Sequence, residues 1–350
     1  MTEPELVKRG RGGKRDSNGK APPPPPVDEP PALTPVAKLT RDIRDSAKLL
    51  DAHQARFLVD AYYSMQDDRI RAAHQLRTLV AGGEPNTIIE WLQDQTETLE
   101  ESVKRALDAY STSRIDGKWL RSICGIGPVI SAGLMAHIDI TQAPTVGHIW
   151  RFAGLDPTLK WEPKTKRPWN AALKRLCWIV GESFTKVSGL DSDVYGKVYV
   201  ARKAQEIANN DAGKFADQAA AALVAKSYGE DTGARKWYGG EYPAGACAKI
   251  AALDTAKRDA LLKKMRVEPG RGVPMLPPAR IHLRAQRYAV KLFLSAYHEV
   301  LFFSTNGELP PKPYAVEHLG HAHYAGVPNM ELVPGLSAAR AKVGRTSRKK

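Results

Sequence analysis

Apolar residues recur at three- and four-residue spacings along most of the chain, the period that places them on one side of an α-helix. The first long stretch is interrupted by Gly82, Gly83 and Pro85, which end a helix. Beyond the break, apolar positions alternate steps of four and three, the spacing of a coiled-coil seam. The seam residues are Ile88, Leu92, Thr96, Leu99, Val103, Ala106 and Tyr110. We therefore predict a helical scaffold or coiled-coil-like hairpin over residues 38–116.

Helical spacing continues further along the chain, and strand-like alternation is almost absent. The fold class predicted is mainly α: the hairpin is followed by a helix-hairpin-helix-containing domain and further helices. The predicted later helices are 170–187, 194–208, 213–227, 244–265 and 279–304. The predicted regions are a disordered basic and Pro-rich leader at 1–37, the scaffold at 38–116, a Gly-punctuated domain at 117–190, a helical region at 191–304, and a Pro/His-rich extended segment with a basic tail at 305–350.

The net charge of the chain indicates which classes of partner it can attract. The 350 residues carry a net charge of +14. Residues 117–190 hold ten Lys and Arg against four Asp and Glu, and residues 336–350 hold six against none. Such an excess attracts polyanions or keeps a protein soluble. The three cysteines, Cys124, Cys177 and Cys247, form no disulfide framework, and no stretch has the length of a membrane span or a signal peptide. We expect a soluble, cytoplasmic protein with no membrane partner.

A short Gly-rich motif interrupts the apolar residues 119–134. It reads Gly125-Ile126-Gly127-Pro128. Two glycines permit a tight turn with positive φ, and proline suits the first position of the next helix. We interpret the motif as a helix-hairpin-helix whose turn amides bind a phosphate, with Lys118 and Arg121 neutralising charge. Such a unit grips the DNA backbone without reading bases. The alternative is a helical hairpin whose glycines only permit close packing.

Cations alternate with aromatic residues just downstream of this motif. The cations are Arg151, Lys160, Lys164, Lys166, Arg167, Lys174 and Arg175, and the aromatic residues are Trp150, Phe152, Trp161 and Trp169. This mixture is typical of surfaces that bind a single strand or a phosphate backbone. Core tryptophans beside solvated cations are the alternative interpretation.

A second set of cations, Arg280, Arg284, Arg287 and Lys291, recurs at steps of four, three and four. At 100° per residue these side chains form one stripe on a helix. The stripe either follows a phosphate backbone or pairs with the acidic helices of 38–116 across an internal or dimer interface.

Three segments occur in a fixed order. They are Gly125-Ile126-Gly127-Pro128, then Trp150-Arg151-Phe152-Ala153-Gly154-Leu155-Asp156-Pro157, and then, after a basic linker, Asn170-Ala171-Ala172-Leu173-Lys174-Arg175-Leu176. Over about residues 117–188 this order resembles the C-terminal domain of transposases of the insertion-sequence 110 family. The resemblance implies DNA strand cleavage and recombination directed by a structured RNA, with DNA and that RNA as partners. It also implies an N-terminal RNase H-like domain with four acidic metal ligands, and a serine nucleophile in the C-terminal domain.

The chain departs from the family pattern twice. Residues before Trp119 offer no strand-borne carboxylates to converge on metal ions, so we expect no cofactor, other than a divalent metal if a nuclease centre exists. Where the family has a Ser-Gly-rich stretch, this chain has residues 160–164, Lys-Trp-Glu-Pro-Lys, without a serine. The nearest serines, Ser131 and Ser183, have no evident base partner, and we interpret each as a helix residue. No catalytic residue is assigned.

A group of histidines lies in the Pro- and His-rich segment 305–335. It comprises Glu317, His318, His321 and His323, with His298 earlier. Imidazoles this dense ligate metals in some proteins, but the spacing fits no named metal motif and no cysteine accompanies it. We expect polar packing or phosphate contact, and we assign no metal ligand.

Three hypotheses remain. The first is a DNA-binding, transposase-like protein of a mobile element that acts in DNA transposition and recombination. The second is a non-catalytic architectural or accessory DNA-binding factor derived from such a transposase. The third is an α-helical interaction protein without a nucleic-acid role, in which the charge serves solubility. In the first two, residues 117–190 form the DNA-binding domain, and we expect a homo-oligomer through residues 38–116.

Overall fold

The computed structural model describes residues 38–84, 86–311 and 326–347, with side chains described as far as Lys342. All of these residues belong to one compact unit. Helices dominate and no strand occurs within the described ranges, so the mainly α fold class is confirmed. The predicted leader at 1–37 lies outside the described residues.

The scaffold region forms a long helical hairpin. After the short helix α1 (Arg41–Ser46), helix α2 (Ala52–Ala81) starts at a capping box in which Asp51 and Gln54 satisfy each other's backbone N–H groups. Helix α3 (Thr87–Thr112) starts at Asn86, whose side chain accepts from the N–H groups of its first turn. The chain reverses at Gly83, where φ is +76°. The predicted break between two helices is therefore confirmed.

The two helices are packed against the rest of the protein only near their base. Val59 of α2 and Leu107 of α3 belong to the main hydrophobic core. Toward the tip the predicted seam is exposed, since Ile88 is 72% and Leu92 49% accessible to solvent. Within the single chain, the seam therefore buries Ala106 and Tyr110 but leaves its first residues uncovered.

The middle region forms helices α4 (Ile115–Ser122), α5 (Pro128–His137), α6 (Val146–Phe152) and α7 (Ala171–Val187). The later helices are α8 (Tyr195–Asp211), α9 (Ala216–Ala225), α10 (Gly233–Tyr238), α11 (Ala246–Ile250), α12 (Thr255–Met265), α13 (Pro278–Asn306) and α14 (Leu336–Ser347). The helix predicted at 244–265 is two helices, because the side chain of Asp254 caps a new start at α12. Helix α10 has no counterpart among the sequence predictions.

Helix α13 runs through the centre of the fold and packs against α4, α6, α7 and α8. Trp119 of α4 is fully buried, and its ring stacks on Phe293 and Tyr297 of α13 with centroids 6.2 Å away in each case. Phe184 of α7 meets Phe293 edge to face at 5.4 Å. Aromatic pairs of this kind add about 0.5–1.5 kcal/mol to the burial of their area. The core thus holds α4 and α7 in fixed positions relative to α13.

The segment that begins at residue 326 is hydrogen-bonded to α4. The indole N–H of Trp119 donates to the carbonyl oxygen of Pro328 at 2.7 Å, and the side chain of Asn329 donates to the Ser122 hydroxyl at 2.8 Å. Arg340 of α14 forms an ion pair with the buried Glu299 of α13. The sequence predicted an extended segment and basic tail here, whereas residues 336–347 are helical. None of the helices in the described ranges has the length and apolar character needed to span a bilayer.

Candidate nucleic-acid interface

Residues 123–127 join α4 to α5, and their backbone differs from the expected turn in one respect. Gly125 has a φ of +89°, the left-handed region that glycine tolerates best. Gly127 has a φ of −85° and a ψ of 177°, extended backbone that any residue adopts. The expectation that both glycines supply a positive φ is therefore wrong for Gly127, although Pro128 does begin the next helix.

Side chains hold the carbonyl groups of this turn. Ser183 of α7 donates to the Gly125 oxygen, and Ser131 of α5 donates to the Gly127 oxygen at 3.0 Å. Arg121 donates to the Ile126 oxygen at 2.8 Å and to the Asp108 carboxylate at 3.0 Å. Its charge is therefore balanced inside the protein, whereas the sequence suggested that it would neutralise a phosphate.

The start of α5 remains open. Among the described residues, no atom lies within 4 Å of a Cβ placed on Gly127, and no side chain caps this helix. The first N–H groups of a helix lack intrahelical partners and carry the positive end of its dipole. Ile126 is buried and its N–H donates to the Ile123 oxygen at 2.9 Å, so its amide does not face outward. Lys118 is exposed on α4.

The turn and the downstream cations occupy different parts of α7. The turn contacts Ser183, and a Cβ on Gly125 would lie 3.3 Å from Val187, near the end of that helix. Lys174 stands nine residues before Ser183, which puts it on the opposite side of the helix. The structure therefore does not bring the turn before α5 close to Lys174 at the start of α7.

The loop between α6 and α7 exposes most of the predicted cations. They are Lys160, Lys164, Lys166 and Arg167, and Arg151 is exposed on α6 just before them. The Trp161 indole N–H donates to the Thr165 oxygen at 2.9 Å, and the Arg167 guanidinium lies 5.3 Å from the centre of the Trp161 ring. Lys164 has a φ of 69°, in the left-handed region, where a glycine would be less strained than a lysine. The loop thus presents its charges outward, with Trp161 contacting Thr165 and Arg167 within it.

Aromatic rings also support the cations at the start of α7. The Lys174 ammonium lies 3.9 Å from the centre of the Trp169 ring. Trp169 and Lys174 in turn pack on Gly154, whose φ is +64° and where a Cβ would approach Trp169 to 2.8 Å. The Arg175 guanidinium lies 5.2 Å from the centre of the Tyr63 ring of α2. Cation–π contacts hold a charge in place without neutralising it.

The stripe on α13 divides into paired and unpaired members. Arg284 donates to the buried Glu206 of α8 at 2.8 Å, so its acidic partner is not in residues 38–116. Arg280 and Arg287 are exposed. Lys291 is half-buried, and its ammonium lies 4.4 Å from the centre of the Trp150 ring.

Arg287 lies close enough to Lys174 and to Lys291 to influence the pKa of each lysine. Partial burial, then the charges of Arg287 and Arg167, lowers the pKa of Lys174. Desolvation, then Arg280 and Arg284, lowers the pKa of Arg287. Burial also lowers the pKa of Lys291, against the attraction of Asp156 and together with the repulsion of Arg287. Among the described residues, no carboxylate lies within ion-pair distance of these three cations. We call them, with Arg167, the cationic cluster.

One exposed aromatic residue escaped the sequence reasoning. Trp178 is 56% accessible to solvent, although it stands among the buried Leu176, Cys177 and Val180 of α7. The sequence predictions assigned it no role. Helical periodicity was the available signal, because Trp178 follows the exposed Lys174 by four positions.

The remaining ionisable candidates are His298 and the cluster of Glu317, His318, His321 and His323. His298 is buried, and its Nε2 lies 2.8 Å from the Ala143 oxygen, so the ring donates to a backbone carbonyl. Glu317, His318, His321 and His323 lie outside the described residues. Within the described part of the chain, no three His, Cys, Asp or Glu side chains are grouped as metal ligands.

These features define a helical protein with a cationic and aromatic surface built around α7 and α13. Residues 117–167 match the Transposase IS116/IS110/IS902 family, which confirms the resemblance over those residues. The match begins in α4 and ends at Arg167, so it includes the turn, α5, α6 and the cationic loop. It covers a minor part of the chain and supports a transposase-like function. No curated protein and no solved structure matches the chain.

Proposed function

We propose that this chain is a DNA-binding, transposase-like protein of a mobile element that acts in DNA transposition and recombination. One observation carries the proposal: Arg287 of α13 lies near Lys174 of α7 and Lys291 of α13, where burial and then its charge lower the pKa of both lysines, and no carboxylate among the described residues forms an ion pair with these three cations. Crowded like charges destabilise a folded protein, and a polyanion relieves that repulsion. The family match supplies the mobile-element context.

The turn before α5 is a second proposed contact with the DNA backbone. Support comes from the uncapped helix start and the open space around Gly127. Lys118 is the exposed cation on the neighbouring helix, whereas Arg121 is occupied by Asp108. This contact would hold one phosphate by backbone N–H groups, on a different side of α7 from the cationic cluster.

A structured RNA is a further proposed partner, because RNA presents the same phosphate backbone to the cationic cluster. Competition between a labelled DNA duplex and a folded RNA tests this directly. Mutual displacement supports a shared surface, and simultaneous binding contradicts it.

A salt titration with charge variants tests DNA binding. Log affinity for a DNA duplex should fall steeply with log salt, and removing one cation that binds a phosphate should reduce that slope by about 0.9. The variant Lys174→Gln, Arg287→Gln should bind weakly and with a smaller slope. Lys257→Gln, Arg71→Gln removes two exposed cations from α12 and the distal part of α2 and is the matched control. A flat salt response, or equal weakening in both variants, contradicts the proposal and favours an interaction protein without a nucleic-acid role.

The accessory-factor alternative is favoured by the two serines nearest the family motif. Ser131 and Ser183 both donate their hydroxyls to carbonyl oxygens of the turn, which gives each a structural task. Incubation with supercoiled plasmid and Mg²⁺ separates the alternatives. Nicked plasmid indicates an enzyme, and intact plasmid despite tight binding indicates an accessory factor.

We also propose that the protein forms a homo-oligomer through the hairpin of α2 and α3. Exposed apolar side chains between the middle of each helix and the tip support this, because soluble proteins usually cover such a strip. The strip comprises Ile70, Val80, Ile88, Trp91, Leu92 and Leu99.

A further inference from the structure

The exposed indole of Trp178 lies on a helix face that the core does not use. Leu173, Leu176 and Val180 form the buried face of α7. An indole that is 56% accessible contributes less to folding than the buried tryptophan on α4, whose exposure is 0%. The ring plane of Trp178 is therefore open to a ligand that stacks on it.

The neighbours of Trp178 on this face are cations. Lys174 and Arg175 precede it by four and three residues, so all three side chains lie on one face within about 6 Å of helix axis. Arg175 is held over Tyr63 and Lys174 over Trp169. The acid four residues further on, Glu182, accepts from Gln286 at 2.7 Å and faces His282. The face therefore combines fixed positive charge with one open aromatic plane.

This combination matches the chemistry of an unpaired nucleic-acid strand. The bases of a duplex stack on one another and leave their planes covered, whereas an unpaired base offers its plane to a protein ring. Phosphates of the same strand contact cations on either side. A duplex would use Lys174 and Arg175 but would leave Trp178 exposed.

We propose that Trp178 stacks on an unpaired base of a nucleic-acid strand whose phosphates lie against Lys174 and Arg175. The inference rests on the proposed DNA-binding function and narrows it to single-stranded or locally melted substrate. Trp161, 40% accessible and paired with Arg167, repeats the arrangement on the loop before α7.

The test compares three probes of equal length: a thymidine oligonucleotide of about 20 nucleotides, an abasic strand that keeps the phosphates but has no bases, and a DNA duplex. Trp178→Ala should weaken binding of the thymidine strand on the order of tenfold and leave the abasic strand and the duplex unchanged. Trp178→Phe should retain most of the affinity, because a phenyl ring still stacks. Phe57→Ala removes a 69% accessible aromatic side chain from α2 and should change nothing.

Tryptophan fluorescence provides a second measurement. The thymidine strand should quench emission of the native protein more than that of Trp178→Phe. Equal reductions of affinity for thymidine and abasic strands would overturn the stacking role, and so would unchanged affinity for all three probes. If a steep salt slope and the effect of Lys174→Gln, Arg287→Gln persist in those cases, the proposed DNA binding stands and only this inference fails.

Discussion

Lys291 and Trp150 make two contacts with each other, a cation–π contact and a hydrogen bond. The Lys291 ammonium lies 4.4 Å from the centre of the Trp150 ring, while the Trp150 indole N–H donates to the Lys291 carbonyl oxygen at 3.2 Å. The first residue belongs to α13 and the second to α6, so the contact joins the segment that matches the transposase family to a helix outside it. The cationic cluster is therefore a property of the folded chain rather than of the family segment alone.

Replacing Lys291 should weaken DNA binding without lowering the stability of the protein. Lys291→Met keeps the aliphatic stem against Trp150 and removes a charge that burial and Arg287 disfavour. We expect a melting temperature equal to or above that of the native protein, together with a salt slope for DNA binding reduced by about 0.9. Calorimetry and a binding titration check the two halves. A clear fall in melting temperature would mean that attraction to Asp156 outweighs the repulsion.

The pH dependence of binding should reveal Lys174. Because its folded pKa lies below the usual 10.5, it loses its proton at a lower pH than an ordinary lysine, and affinity for DNA should decline as pH rises toward that value. Lys174→Arg keeps its charge throughout this range and should remove much of the decline. If both proteins lose affinity in parallel, Lys174 does not contact phosphate.

The same shift has a consequence for folding. In the window between the lowered pKa of folded Lys174 and the ordinary value of the unfolded chain, the unfolded state binds more protons. The contribution of this residue to stability therefore rises with pH across that window. Denaturant titrations of the native protein and Lys174→Gln at several alkaline pH values should show the difference between them change in this direction.

The open position at Gly127 allows a direct test of the turn. Gly127→Asp meets no steric obstacle and improves the helix cap by a few tenths of a kcal/mol, yet it places a carboxylate where a phosphate would sit. We expect unchanged or raised stability and weaker DNA binding, measured by thermal melting and fluorescence anisotropy. Gly127→Ser supplies a neutral cap and is the control. Equal binding by both variants would remove the turn from the interface.

Gly125 should behave differently. Its φ is +89°, and a Cβ atom at this position would lie 3.0 Å from the Ser183 hydroxyl oxygen, so any side chain is unfavourable there. Gly125→Ala should cost about 1–3 kcal/mol of unfolding free energy, through backbone strain and displacement of α7. Its effect on binding would report folding rather than phosphate contact, so melting must be measured first.

The hairpin tip should control assembly. Ile88→Glu, Leu92→Glu places charges on the exposed seam without disturbing the core, so we expect a smaller mass by sedimentation and an unchanged melting profile at low concentration. Phe57→Glu alters an exposed position elsewhere on α2 and is the control. If the native protein is a monomer at all concentrations, the proposed oligomer is wrong.

Local patterns predicted the helices well where one signal dominated. Gly82 and Gly83 marked the end of α2, and the long amphipathic period marked α13. The prediction failed where a cap interrupts a continuous period, as at Asp254. Helix α10 has only six residues, too few for a periodic signal.

The candidate interface was predictable only in part, because its members are distant in sequence. The sequence identified both cationic sets but not their convergence, which depends on how the core packs α7 against α13. Arg284 and Glu206 are 78 residues apart, so nothing local marked that arginine as paired. Trp178 was missed because burial is decided by the face of a helix rather than by the composition of a short run.

The hydrogen bond from Trp119 to the Pro328 carbonyl oxygen links two residues that are 209 positions apart in the chain. A ribosome completes residues 117–167, which match the transposase family, before it makes α13 or Pro328, which accepts the hydrogen bond from α4. A nascent chain that has not yet reached α13 lacks both Lys291 and the hydrogen bond to Pro328. The proposed surface between α7 and α13 therefore forms only after α13 has been synthesised and has packed on α7.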